Sequence, residues 1–569
     1  MTSLIKSLSL QNFKGFSEEI HIDFRPITLL FGANSAGKSS VLQALQLARE
    51  VLESGDANID RTRQGGDTID LGGFRNFVHN RDLLRPVTLG LEMELGYDAI
   101  PEFFEDGIED RSDVDSQVWR FHQTLDLIRS QVKTVAVQLT LSWSDLREQA
   151  VISGYRVDFN GDWCAQVTTD PTGAQPQMRL NAKHPVFLAN ADERDAAHFD
   201  DLADWIRPGQ PNHVFRTELG MSTDSSDGEP LEPIPNSMLL GILAMVRASY
   251  ADSPNPGFAT WLQRFPGALP RLDRPVLIPA GRPEKSTNLF ILQEFSAFMS
   301  WLLVGPAQLL RDQLRKSRYL GPLRRIPPRD FDAALSRNEA AWSDGMAAWQ
   351  MLLGGSETLV NDCSDWMCSE QKLATGYGIE RTVVQAFDVS GPEPKPIGSQ
   401  RRRLTLIDAS GQRHLPQDVG VGISQVLPVV VAAQDAATSL VSIEQPELHI
   451  HPAVQVGLGD LFIDGALNKD LSFLIETHSE HLVMRLQRRI RESAVGELPQ
   501  GQDPVDPGLV AIVYLERSDQ GAVRAHTIGL DREGKFTSPW PRGFFPERMR
   551  EVLPKTVRDR VDRRKVGDA

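Results

Sequence analysis

The sequence predicts an α/β fold, a mixed sheet with flanking helices, organised around a phosphate-binding loop. Three observations carry that prediction. A strand-type apolar run, Ile27–Phe31, passes through a Gly-framed loop into an amphipathic helical pattern. Two further apolar runs, Leu440–Ile443 and Ser472–Ile475, each end on a glutamate, Glu444 and Glu476. Most of the chain separates the loop from these acids, so the head is expected to be discontinuous, with a large, mostly helical or mixed insertion.

The loop reads Gly32-Ala33-Asn34-Ser35-Ala36-Gly37-Lys38-Ser39, which is G-x-x-x-x-G-K-[ST] letter for letter. Its glycines let consecutive backbone N–H groups converge on one anion, with a helix N-terminus behind them. Lys38 can reach β- and γ-phosphates, and the Ser39 hydroxyl can ligate Mg²⁺. The expected nucleotide contacts are Asn34, Ser35, Ala36, Gly37, Lys38, Ser39 and Ser40. The cofactors implied are ATP and Mg²⁺.

At 569 residues the chain has room for two to four domains. No apolar run approaches the roughly 18 residues of a membrane span, and the N-terminus lacks the apolar stretch of a secretory signal. Cys164, Cys363 and Cys368 are too few and too unevenly spaced for a disulfide framework; small, mostly buried thiols and a cytoplasmic location are expected. A formal charge of −16 argues against a surface coated by nucleic acid. Basic segments exist locally, at Arg311–Arg329, Arg401–Arg403, Arg485–Arg491 and Arg548–Lys565, and leave DNA or RNA contact open.

Taken in order, residues 3–31 alternate in short runs and read as two or three strands with a turn near Gly15. Ser40–Leu52 has helical spacing. Pro86–Gly96 and Val132–Trp143 alternate as half-buried antiparallel strands do, and Val151–Val167 continues the pattern. Ala99–Val114 is acidic and irregular. Helical stretches are expected at Ser237–Tyr250, Phe258–Phe265, Leu289–Leu314 and Phe331–Leu353, with a short strand or turn at Tyr319–Pro322. The expected division is 1–95 (first part of the head), 96–315 (insertion), 316–403 (return segment and helical subdomain), 404–495 (second part of the head) and 496–569 (a small C-terminal domain).

Three motifs complete the site. Asp418–Gln425 (DVGVGISQ) is a small-residue loop feeding an apolar helix, and offers N–H groups and the Ser424 hydroxyl to an anion. Leu440–Pro452 (LVSIEQPELHIHP) places Glu444 at a strand end, where a carboxylate can hold Mg²⁺ directly or through water. Leu471–Leu482 (LSFLIETHSEHL) ends a second strand in Glu476-Thr477-His478, and His478 can orient an attacking water or bond a γ-phosphate.

The ordered set NFKGF, GANSAGKSS, DVGVGISQVLP, IEQPELHIHP and ETHSEHL resembles the ABC/SMC-type heads of OLD-like AAA ATPases. The tail Leu530–Phe545 (LDREGKFTSPWPRGFF) is similar to a C-terminal WPxGFF block in ATPases of that group. Some relatives are the ATPase halves of anti-phage systems such as Septu, where a separately encoded nuclease is the effector. The resemblance covers roughly 1–95, 317–325 and 404–545. It implies that Lys38 and Ser39 serve the phosphates and Mg²⁺. Glu444 takes the Walker-B position with Mg²⁺, Ser424 the signature position and His478 the switch position. It further implies a homodimer, or a higher even oligomer, with ATP sandwiched between heads.

One departure matters. The residue after the Walker-B acid usually supplies the general base as Glu, and here it is Gln445. An amide orients a water but cannot take its proton. Either Glu447 or His478 substitutes, or hydrolysis is slow and the protein works as an ATP-dependent clamp. The leading reading is thus an ATPase that dimerises around ATP and regulates a partner effector, with a nuclease in anti-phage defence as the form the relatives suggest. The alternatives are a DNA-repair or DNA-clamp ATPase, which would want coiled-coil arms that the sequence does not show, and an OLD-type ATPase with its own nuclease. That nuclease would need an Asp-x-Asp, absent after His478.

Overall fold

The computed structural model describes residues 4–57, 69–103, 125–188, 267–276, 296–331, 342–518 and 522–541, with short gaps at 97–98, 127, 171, 174–175, 182–183 and 330. The chain begins with β1 (Leu4–Gln11), β2 (Ile20–Asp23) and β3 (Ile27–Gly32), then helix α1 (Lys38–Ser54). β4 (Val87–Glu94), β5 (Thr134–Ser144), β6 (Gln149–Phe159), β7 (Asp162–Thr168), β8 (Gln177–Leu180) and α2 (Gly305–Arg315) follow. Two compact units emerge: Met1–Asp23 with Gln43–Lys316, and Phe24–Leu42 with Ser317–Ala569.

The first unit holds a seven-stranded antiparallel sheet in the order β2-β1-β4-β5-β6-β7-β8. β5 shows why its sequence is a strand: Val135, Val137, Leu139 and Leu141 are buried, and the residues between them are half-buried. Among the described residues of 96–315, strands β5–β8 stand beside helical residues at 185–188 and 296–303 and helix α2, a mixture of the kind the helical or mixed insertion allows. The helical stretches expected at Ser237–Tyr250 and Phe258–Phe265 lie outside the described residues.

The second unit is built on a six-stranded mixed sheet in the order β16-β15-β3-β14-β13-β9. Its members beyond β3 are β9 (Ser317–Leu320), β13 (Leu440–Glu444), β14 (Ser472–Glu476), β15 (Val510–Arg517) and β16 (Val523–Ile528). β9, β13, β14, β3 and β15 run parallel, and β16 closes the edge antiparallel. A parallel strand covered on both faces needs a continuous apolar run, and β3 and β13 supply one. β15 and β16 fall within residues 496–569, set apart from sequence as a small C-terminal domain. They are hydrogen-bonded into the sheet that contains β3.

Around that sheet pack α3 (Met346–Gly354), α4 (Glu357–Cys368), α5 (Val421–Gln434), α6 (Pro452–Asn468) and α7 (Glu480–Val495). Leu29, Val430, Ile443, Phe462, Ile475 and Ile512 form part of one fully buried core. α5 is apolar nearly all round and is buried from Ser424 to Gln434, as a helix enclosed by protein must be. A separate three-stranded antiparallel sheet joins β10 (Tyr377–Asp388), β11 (Lys395–Asp408) and β12 (Arg413–His414). Cys164 and Cys363 are buried, while Cys368 is exposed, against the expectation for that residue.

Candidate functional site

All the groups that define the site lie in the second unit, at the carboxyl ends of its parallel strands, where open α/β sheets bind ligands. The phosphate loop leaves β3 at Gly32, whose φ of +147° suits glycine. A Cβ there would lie 2.4 Å from the Leu515 carbonyl oxygen of β15, so only glycine fits. Ser35 (φ +63°) and Gly37 (φ +98°) complete the curl before α1 starts at Lys38.

Lys38 is buried and donates to the carbonyls of Gly32 and Ala33, both at 3.0 Å. Burial lowers its pKa, and the carboxylates of Glu476 and Glu447 oppose that shift. Ser39 donates to Glu476 Oε2 at 2.6 Å. Glu476 thus reaches the phosphate loop, a role the sequence reading did not give it. The available signal was its place at a strand end two residues before His478.

Glu444 stands opposite Glu476 in the β13–β14 register. Its Oε1 accepts from the Tyr319 hydroxyl at 2.7 Å, and its backbone carbonyl accepts from Arg324 Nη2, also at 2.7 Å. Arg324 is buried, and burial pushes its pKa down to about 10. It also meets Gln425: Arg324 Nη1 donates to the Gln425 carbonyl at 3.4 Å, and Gln425 Nε2 donates to the Arg324 carbonyl at 2.6 Å. The segment Tyr319–Arg324 therefore steadies the end of β13 against the start of α5. It was legible as a strand or turn, and its arginine as one of a basic run, but the role of neither residue was.

After Glu444 the chain turns sharply. Gln445 has φ +44°, a left-handed conformation uncommon for a residue other than Gly, Asn or Asp, and its N–H donates to the Glu476 carbonyl at 2.8 Å. Beyond this turn, Glu447 Oε2 accepts from Thr477 Oγ1 at 2.8 Å and Glu447 Oε1 from the His478 N–H at 2.6 Å. Burial raises the Glu447 pKa, partly offset by these hydrogen bonds and by Arg324. The His478 pKa is lowered by burial and then by the charge on Lys38, so its imidazole is neutral near pH 7. His451 caps α6, its Nδ1 accepting from the Ala453 N–H at 3.2 Å.

Ser424 departs from its expected role. α5 begins at Val421 with Gly420 as its cap, so Ser424 lies a turn inside the helix. Its side chain is fully buried and donates to the Pro416 carbonyl at 3.0 Å. The solvent-facing start of the helix is Gly420 and Val421.

The basic segment 311–329 is engaged within the protein. Arg311 and Arg315 pair with Asp312 and Glu53, Arg318 with Asp435, Arg325 with Asp344 and Arg329 with Asp418. Arg485 and Arg489 pair with Asp460, and Arg488 with Glu492. Arg548–Lys565 lies outside the described residues. Among the described residues no helix is long and apolar enough to cross a membrane.

Two family matches fall on the two halves of this site. Residues 4–74, with the phosphate loop, match the AAA ATPase domain family. Residues 390–485, with Glu444, Glu447, Glu476 and His478, match the family described as "AAA domain, putative AbiEii toxin, Type IV TA system". Residues 4–74 and 390–485 are thus each similar to AAA-type ATPase domains. The fold is the α/β class expected of an ABC/SMC-type head, a mixed sheet with flanking helices.

No curated protein matches the sequence. Among solved structures, an SMC head bound to the C-winged helix domain of ScpA is 11% identical, with 93% of this chain and 98% of that chain covered and a TM-score of 0.36. The Pyrococcus furiosus Smc head bound to the C-terminal domain of ScpA is 11% identical over 93% and 97%, with a TM-score of 0.35. The Thermotoga maritima SMC head is 8% identical over 92% and 98%, with a TM-score of 0.33.

Proposed function

We propose that this chain binds ATP with Mg²⁺ and hydrolyses it with Glu447 as the general base. The observation that carries the reading is the placement of Glu447. Its carboxylate is held by Thr477 and by the His478 amide, in the electrostatic field of Lys38. Each carboxylate oxygen has a second lone pair free for a water. The raised pKa makes the group a stronger base than an ordinary glutamate. The left-handed turn at Gln445 is the physical reason for a base displaced by two residues, because it redirects the chain before Glu447.

Ser39 and a carboxylate at the strand ends would supply hard oxygen donors that suit Mg²⁺, which would neutralise charge on the phosphates. Lys38 leaves the Gly32 and Ala33 carbonyls for the phosphates, and neutral His478 orients the water. We further assign the exposed start of α5 to contact with the nucleotide of a second copy, giving a dimer of heads that regulates a separately encoded effector.

Lys38→Ala tests the core of this proposal. Lys38 is the side-chain cation of the phosphate loop, so calorimetric titration with a non-hydrolysable ATP analogue should show binding to the wild type and none to the variant. Equal affinity in both would remove the basis for a nucleotide site.

A further inference from the structure

We propose that Glu476, rather than Glu444 at the Walker-B position, is the carboxylate through which this site engages magnesium beside Ser39. The inference rests on the ATP·Mg²⁺ reading above and names the protein oxygen that serves it. β14 is the immediate neighbour of the phosphate-loop strand, with Glu476 opposite Leu30 in register. That register brings the Glu476 carboxylate to the Ser39 hydroxyl, 2.6 Å away. Glu444 is one strand further from β3, and Tyr319 already occupies one of its oxygens.

Electrostatics point the same way. Glu444 and Glu476 are both buried, 7% and 5% exposed, and stand directly opposite on adjacent strands. Like charges so placed repel unless a cation joins them. Lys38 gives partial relief, with Nζ 4.0 Å from Glu476 Oε1. Once Lys38 turns to the phosphates, that relief is lost and a buried carboxylate is left without its nearest counter-charge. A small divalent cation taking Ser39 and phosphate oxygens, directly or through water, restores it. Mg²⁺ is commonly bound by one or two carboxylates together with phosphates and several waters. Glu444, fixed by Tyr319 and Arg324, then acts as a positioning residue for the end of β13.

The test is titration of the full chain with a non-hydrolysable ATP analogue, in magnesium and in EDTA, for the wild type, Glu476→Gln and Glu444→Gln. The wild type should bind more tightly in magnesium. Glu476→Gln should keep its EDTA affinity, which Lys38 supplies, and lose about 10–100-fold of the gain from magnesium. Glu444→Gln should retain most of that gain. Retained EDTA affinity shows that Glu476→Gln is folded, and Mn²⁺ binding followed by electron paramagnetic resonance gives a second readout. If Glu444→Gln is the magnesium-blind variant, or if both variants keep the full gain, the assignment to Glu476 is overturned while the ATP reading stands. A wild type that binds no nucleotide in either buffer overturns both.

Discussion

The Thr477 hydroxyl donates to a carboxylate oxygen of Glu447 at 2.8 Å, and this bond ties the loop after β13 to the loop after β14. The same threonine is fixed from two other sides. Its N–H donates to the Leu30 carbonyl at 3.2 Å, and its Oγ1 accepts from the Ser479 N–H at 2.9 Å. Thr477 thereby links the candidate base to the phosphate-loop strand and to the start of α7. The orientation of Glu447 is set by the sheet rather than by a free loop.

From this follows a pair of substitutions with opposite expectations. Glu447→Gln should lower ATP turnover about 10²–10⁴-fold, the usual contribution of a general base, while nucleotide affinity holds. Gln445→Glu should leave turnover unchanged, because its backbone turn directs the chain past the position where Glu447 works. Steady-state phosphate release measures both. A rise in turnover in Gln445→Glu would mean that the base is missing rather than displaced.

The pH dependence has a definite sign. Burial raises the folded-state pKa of Glu447 above its ordinary value, so folding penalises its ionised form. The stability it contributes is fully present below its ordinary pKa near 4.5 and is lost as pH rises through the raised value. Activity runs in the other direction, since the base must be ionised. Turnover should therefore fall on acidification at a higher pH than an ordinary carboxylate gives. Neutral His478, with its lowered pKa, should not add a second loss until below its ordinary value near 6.5. A kcat profile with Glu447→Asp beside the wild type checks this; a wild-type profile flat down to pH 4.5 would contradict it.

How much of this was legible in the sequence follows from the range of each interaction. Gly32–Ser39 is a contiguous motif whose chemistry depends on local backbone geometry, and the structure curls it as its glycines dictate. β5 could be read because alternation is also local. Register is a different matter. That Glu476 stands opposite Leu30, and so reaches Ser39, depends on pairing between segments far apart in the chain. The same holds for Arg324: a basic run in sequence is a buried strut once β9 lies beside β13. Ser424 was placed too early for a subtler reason, since a helix start one turn sooner buries the hydroxyl.

Arg324 offers a test of that strut. Arg324→Met removes donors from the buried carbonyls of Glu444 and Gln425. Each buried group left unpaired costs about 1–3 kcal/mol, and denaturant unfolding should register at least one such loss. Gln425→Leu breaks the same contact from the other side. The double variant should then lose less than the sum of the two singles, as residues sharing one network do. Additive losses would show that the two side chains stabilise separate parts of the unit.

The last expectation concerns the discontinuous second unit. β3 lies between β14 and β15, bonded to both, though more than four hundred residues of sequence intervene. Its residues Ile27, Leu29 and Phe31 belong to the core that also holds Ile475 and Ile512. Phe31 further packs edge-on against Trp540, ring centroids 5.2 Å apart. A protease cut within residues 191–260 severs the chain between these partners but breaks none of their contacts. Withdrawing β3 would strip backbone hydrogen bonds from two neighbours and open an apolar slot in the middle of the sheet, a loss on the scale of the roughly 5–15 kcal/mol that holds a typical domain together. The two fragments should therefore co-elute on size exclusion after limited proteolysis and part only in denaturant. They should also keep nucleotide affinity, since Lys38 and Ser39 travel with one fragment and Glu476 and Glu447 with the other. Fragments that separate in native buffer would mean that β3 is not seated between β14 and β15 in solution.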